Sequence, residues 1–151
     1  LRCLVLAVGR CRDPALGELL ARYLDRLPWP VEIREIEART ADPARRRSEE
    51  GRAILAASPP EAPLVALDER GVLLTSRAFA ERLGRWREEG RRTVAFAIGG
   101  ADGLDPAVRA RADLVLALGR LTLPHELARL VLVEQLYRAH SILAGHPYHR
   151  E

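Results

Sequence analysis

Apolar positions fall into five short continuous runs, separated by longer stretches where they recur on a helical period. The first run, Cys3–Val8, is solidly apolar, as expected of a strand buried on both faces. Asp13-Pro14 then signals a helix start, an acidic cap with proline in the first turn. Leu16, Leu19, Leu20, Tyr23, Leu24 and Leu27 line one side of that helix before Pro28-Trp29-Pro30 breaks it. Val31–Ile36 alternates, which predicts a strand with one wetter face. Asp42-Pro43 opens a second helix, to about Ala57, and Ser58-Pro59-Pro60 stops it. Leu64–Leu67 reads as a third strand ending in Asp68-Glu-Arg-Gly71. A third helix, capped by Thr75 or Ser76, runs through Glu89 to a stop at Gly90. Thr93–Ile98 and Leu114–Leu118 are the remaining strands, with a short helix after Asp105-Pro106 between them.

The last helix, from about Glu126 to Leu143, breaks the pattern. Its apolar residues, among them Leu127, Leu130, Val131, Leu132, Val133, Leu136, Tyr137, Ile142 and Leu143, cover much more than one stripe. A helix with one buried face shows a stripe of roughly 100°, so a second packing partner is expected: the chain's own sheet on one side, another subunit on the other. Strand–helix alternation with mostly apolar strands predicts a parallel α/β sheet. The 151 residues fit one domain, 1–151, with no internal repeat or linker.

Composition narrows the class. The net charge of +3 and pI near 9.4 are compatible with an RNA partner. All 24 basic residues are arginine, and Met and Asn are absent, which suits a heat-adapted organism or a GC-rich genome. No apolar run approaches the ~20 residues of a membrane span, and the chain starts directly in a strand-like run. A cytoplasmic protein without a leader is expected. Cys3 and Cys11 are expected to be free thiols. The four histidines, at 125, 140, 146 and 149, lack a CxxC companion, so a metal site is not expected.

Ligands of open α/β sheets bind beyond the carboxyl ends of the strands. Leu67–Gly71, Gly99–Leu104 and Leu118–Leu123 are expected there. Gly99 and Gly100 would let a ligand approach the main chain, although a glycine-rich strand-to-helix turn is the plainer reading. The segment matches neither GxGxxG nor a Walker A motif, which disfavours a nicotinamide or nucleoside-triphosphate site. The chain ends in His146-Pro-Tyr-His-Arg-Glu151, unusually rich in chemistry for a terminus.

Four segments together, Ile98-Gly-Gly-Ala-Asp-Gly-Leu104, Leu121-Thr-Leu-Pro-His125, Glu134-Gln-Leu-Tyr-Arg-Ala139 and the tail, resemble the RlmH family of SPOUT-class methyltransferases. Leu6-Ala-Val-Gly9 fits too, so the likeness spans the chain. It implies a parallel sheet whose C-terminal part is threaded into a trefoil knot, and a homodimer. It also implies S-adenosylmethionine as cofactor and N3 of a pseudouridine in 23S rRNA as methyl acceptor. By position, it implies a cofactor site of Leu67, Gly99, Leu118, Gly119, Arg120, Leu121, Thr122 and Leu123. Arg120 would need a partner if buried.

The resemblance further implies a composite site in which one subunit's tail closes over the other's cofactor. An imide N3–H must lose its proton. Candidates for catalysis are His125, Tyr148, His149 and Arg150. His125 reads equally as a base or a helix cap, and Tyr148 and Arg150 as flat groups that grip an extruded base. A solvated tail is the bland alternative. Arg45–Arg47 with Arg39 and Arg52, and Arg10 with Arg12, are candidate phosphate contacts or simply solvated arginines. His140 and the two tryptophans read as packing. Two other functions remain open: an RNA-binding module without the reaction, and a methyltransferase with another RNA acceptor.

Overall fold

The computed structural model describes residues 1–151. Five strands, β1 (Arg2–Val8), β2 (Val31–Ile36), β3 (Leu64–Leu73), β4 (Thr93–Ile98) and β5 (Leu114–Ala117), form one sheet in the order β2-β1-β4-β3-β5. Every pairing is parallel. Five helices connect and cover it: α1 (Pro14–Arg26), α2 (Pro43–Ala57), α3 (Ser76–Glu88), α4 (Pro106–Arg111) and α5 (His125–Ala144).

Strand alternation divides the core. Cys3, Val5, Ala7, Val65, Val94 and Phe96 face one side, where they meet Phe79 and Leu83 of α3 and Leu132 and Leu136 of α5. Leu4, Leu6, Leu64, Ala66, Ala95 and Ala97 face the other, against Ile54 of α2 and Val108 of α4. Both faces are covered, which is why the central strands carry almost no polar residue.

One chemical device starts three of the helices. Asp13, Asp42 and Asp105 each precede a proline, and each carboxylate accepts from a main-chain N–H of the first turn. Proline occupies a position whose N–H has no helical acceptor anyway. Thr75 caps α3 by accepting from the N–H of Ala78.

Two departures from the sequence reading matter for the site. First, β3 does not stop at Leu67. Its register against β5 breaks between Leu67 and Val72, then resumes with Val72 opposite Leu116 and Leu73 opposite Ala117. Asp68–Gly71 is therefore a bulge inside a strand rather than a turn after one. In the sequence its charged residues read as punctuation after a strand. Second, α5 finds much of its apolar cover within the chain. Leu130 and Val133 pack with Leu20 of α1, while Leu132, Leu136 and Ala139 pack toward the sheet with α3. The breadth of its apolar surface thus does not by itself demand another subunit. No helix is long and apolar enough to cross a membrane.

Candidate active site

A pocket of about 350 Å³ opens beyond the carboxyl ends of β3, β4 and β5. Its walls come from three segments: Leu67–Arg70, Ile98–Leu104 and the run after β5. Leu67, Gly99, Leu118, Gly119, Leu121, Thr122 and Leu123 all line it, and His125 lies at its edge. That volume is at the lower end of the range usual for small-molecule sites.

Arg120 does not line this pocket. It is exposed, not buried, and its guanidinium donates to the main-chain oxygens of Glu69 and Gly71, the latter at 2.8 Å. The Thr122 hydroxyl donates to the Glu69 carboxylate. The β3 bulge thus holds the loop between β5 and α5 in shape. Gly119, at φ +149°, has a backbone conformation that side chains resist. Leu121 is 84% exposed at the pocket mouth, an apolar side chain lacking cover.

The glycines after β4 answer first to the protein's own packing. A Cβ on Gly99 would lie 2.7 Å from the carbonyl carbon of Gly103, and one on Gly100 would lie 2.9 Å from Cγ1 of Val8. Closure of the turn accounts for Gly99, and the approach of Val8 of β1 for Gly100, before any ligand does. Arg46 of α2 clamps that turn from outside, with Nη2 2.6 Å and Nε 3.2 Å from Asp102 Oδ2. The middle arginine of the basic run is therefore engaged with protein. Glu50 is buried nearby, and burial pushes its carboxyl above the usual range.

Asp68 is nearly buried between two guanidiniums, 2.9 Å from Arg70 Nη2 and 3.5 Å from Arg109 Nη1. Hydrogen bonding from Arg70 holds its carboxyl below the ordinary value. Sequence reasoning placed Asp68, Glu69, Arg70 and Asp102 within the segments expected at the ligand end without naming them individually, and it missed Ala128. The first three lie in the bulge, whose strand character no local pattern announces.

His125 is the first residue of α5, and Pro124 holds the cap position without a side-chain cap bond. The imidazole is not a helix cap. Its ring lies against Gly9, where an added Cβ would come within 2.9 Å of Cε1, and Nδ1 is buried without a protein partner. The loop after β1 is latched beside it. The main-chain N–H groups of Arg12 and Asp13 donate to the Glu126 carboxylate, and buried Arg129 bonds Glu35 at 2.9 Å. Arg10 pairs with Glu37 at 2.7 Å.

The tail lies elsewhere. Tyr148, His149 and Arg150 are not among the residues lining the pocket of their own chain. Tyr148 donates to Glu134 at 3.1 Å, packs edge-on against Tyr137 and sits under the Arg138 guanidinium, 4.8 Å from the ring centre. Nδ1 of His149 is 3.1 Å from Arg138, and Glu151 pairs with Arg77 of α3. Burial, with the neighbouring Glu134 carboxylate, pushes the Tyr148 phenol up to about 12. Packed this way, Tyr148 is a proton donor and no base at neutral pH. His140 packs edge-on against Trp29, with centroids 5.4 Å apart. Both cysteines are free, and no cluster of His, Cys, Asp or Glu is arranged to hold a metal.

A wholly parallel sheet with a loop-walled pocket beyond its strand ends, one imidazole at the rim, defines an α/β enzyme domain that takes a small molecule between its loops. Comparison with known proteins narrows this. Residues 1–149 match the family described as predicted SPOUT methyltransferase. A ribosomal RNA large subunit methyltransferase H of Rhodospirillum centenum is 53% identical over 152 residues, covering 99% of each chain. Its namesake in Brucella anthropi is 51% identical over 159 residues, again with 99% of each chain covered. A probable methylase family protein from Haemophilus influenzae superposes with a TM-score of 0.57 at 12% identity, over 99% of this chain and 70% of its own. That likeness concerns the fold alone. The chain belongs to the SPOUT methyltransferases and, within them, to the ribosomal RNA large subunit methyltransferase H family.

Proposed function

We propose that this chain works as a homodimer that transfers a methyl group from S-adenosylmethionine to N3 of a pseudouridine in 23S rRNA of the large ribosomal subunit. The cofactor site we assign is the pocket beyond β3, β4 and β5. Its donor set suits the group: Leu67, Leu118, Leu121 and Leu123 offer apolar walls, and main-chain groups of the surrounding turns can meet an adenine edge. When bound there, the cofactor supplies an electrophilic methyl on a sulfonium, and charge is lost rather than separated in the transfer. The protein's task is then positioning and proton removal.

Two chains are invoked because one falls short. From His125 to Ala144, α5 spans about 28 Å at a rise of about 1.5 Å per residue. Tyr148 stands three residues beyond Gly145, a reach of about 10 Å even fully extended. A tail anchored at the far end of α5 cannot lay its phenol beside its own His125. This mismatch of lengths is the observation that carries the composite reading, in which each tail serves the neighbouring pocket. Uncovered Leu121 at the pocket mouth suits such a lid. We also assign the family's threaded topology to the segment after β4. Its support is that α5 returns from edge strand β5 to pack against β1 and β4.

Among residues lining the pocket, His125 carries the only imidazole. The carboxylates there are tied: Asp68 to Arg70, Glu69 to Thr122 and Asp102 to Arg46. We assign acceptance of the imide proton to His125, and grip of the extruded base to Tyr148 and Arg150 of the neighbouring tail, with His149 beside them. Mass mapping of 23S rRNA from a deletion strain, with and without this chain restored, tests the reaction. One methyl lost from a pseudouridine and regained on complementation is expected; an unchanged map refutes it. Calorimetry with S-adenosylmethionine separates an enzyme from a mere RNA-binding module, which would show no uptake at millimolar cofactor.

A further inference from the structure

The free edge of the sheet carries a second concavity, apart from the candidate active site. Four guanidiniums converge there from four parts of the fold: Arg70 from the β3 bulge, Arg82 from α3, Arg109 from α4 and Arg120 from the loop after β5. Asp113 is the one carboxylate in the lining, and it already accepts from the N–H of Leu64 and from Arg111. Behind the groove, Asp68 is shared between Arg70 and Arg109. Arg82 and Arg120 have no carboxylate partner. Arg82 rests on the Trp86 ring at 5.7 Å, and Arg120 is bound to main-chain oxygens alone. Positive charge is therefore in excess. It is also held in place by neutral anchors, so little side-chain freedom remains to be lost on binding.

The geometry points to this groove as a binding site for the sugar–phosphate backbone of the RNA substrate, flanking the nucleotide that enters the active site. Arg70 lines both cavities, and Arg120 lies between Gly119 and Leu121, which line the pocket. A strand that delivers one base to the pocket has this arginine row as its adjoining surface. Guanidiniums suit phosphate oxygens because they offer a planar pair of donors. The assignment rests on the proposed RNA methylation for the identity of the strand. The plainer role for such residues is to guard edge strand β5 against pairing with another chain.

The test compares wild type, Arg82→Gln, the double variant Arg82→Gln/Arg109→Gln, and Arg82→Lys. Binding to isolated large ribosomal subunits and to free 23S rRNA is measured as a function of salt. Each lost phosphate contact is expected to flatten the log–log salt dependence by about 0.7, the coefficient for a single strand, so the double variant loses about 1.4. Arg82→Lys keeps the wild-type slope, and cofactor affinity by calorimetry stays unchanged in Arg82→Gln. Circular dichroism and the lysine variant separate lost contacts from misfolding. Unchanged slopes overturn the groove, whether or not self-association rises, and so does a wild type that binds neither RNA. A wild type that methylates no 23S rRNA, yet shows the slope changes, refutes the proposed reaction and leaves the groove standing.

Discussion

Gly71 is the residue on which the pocket's architecture can be tested most directly. It has no positive φ, so an alanine there meets no backbone strain; the obstacle is space. An added Cβ would lie 2.5 Å from the carbonyl oxygen of Val115, 2.7 Å from its carbon and 2.9 Å from that of Leu116. All three atoms are main chain of β5 and cannot swing aside. Gly71→Ala must therefore push the β3 bulge off β5, at an overpacking cost of about 1–3 kcal/mol. The Gly71 and Glu69 carbonyls would move with it, weakening the Arg120 bonds at about 1 kcal/mol each. A total of roughly 3–5 kcal/mol corresponds to a melting temperature lower by about 6–20 °C in a domain of this size. Because Arg120 and Thr122 shape the pocket-wrapping loop, cofactor affinity should fall as well, by at least about tenfold. Urea unfolding and calorimetry with S-adenosylmethionine measure the two effects. A Gly71→Ala protein with wild-type stability would show that the close approach is not a constraint. One that is destabilised but binds cofactor normally would show that the bulge does not shape the pocket.

Deleting Tyr148–Glu151 should abolish methyl transfer while leaving dimerisation intact, as read by sedimentation; full activity would remove the tail from the mechanism. Asp68→Asn should flatten the acid limb of stability. The Asp68 carboxyl sits below its unfolded value, mainly through Arg70, so its contribution is present above an unfolded pKa of about 4 and lost as pH falls through the folded one. An unchanged urea-unfolding profile between pH 2 and 5 would contradict this. Glu50 has the opposite sign: burial raises its folded value, so stability falls as pH climbs past the unfolded pKa, and Glu50→Gln should be at least as stable as wild type at pH 7. A clear loss there would mean that the carboxylate has a partner worth more than its burial costs. Leu136→Ala, on the fully buried face of α5, should cost about 2–5 kcal/mol by urea titration, and less than about 1 kcal/mol would place it outside the core.

Strand and helix identities were legible because their signals are local. Cys3–Val8 and Thr93–Ile98 are apolar on both faces, and three Asp-Pro pairs mark helix starts. The pocket segments were legible because parallel sheets present their loops at one end. The β3 bulge was not: Asp68-Glu-Arg-Gly71 carries charge where a strand should be apolar, and only pairing with β5 explains why it stays extended. Arg120 was unreadable for the same reason, since its acceptors lie 49 and 51 residues away. The tail's packing on Tyr137 and Arg138 follows from a helix C-terminus that bends back at Gly145, in the left-handed conformation at φ 72°. The composite site we propose is what the family likeness implies, and the lengths of α5 and the tail support it.

The β3 bulge also links the pocket to the arginine groove. A regular strand would continue its pairing with β5 and leave no main-chain oxygen free for Arg120 on the outer side. By slipping register between Leu67 and Val72, β3 turns the Glu69 and Gly71 carbonyls toward the loop after β5 and gives Thr122 a carboxylate to meet. On the inner side that loop then walls the pocket with Leu118, Leu121 and Leu123; on the outer side it presents Arg120 to the groove. Displacing either face moves the other, because both hang from the same two carbonyls. One loop in this way joins the walls of the pocket to the arginine groove.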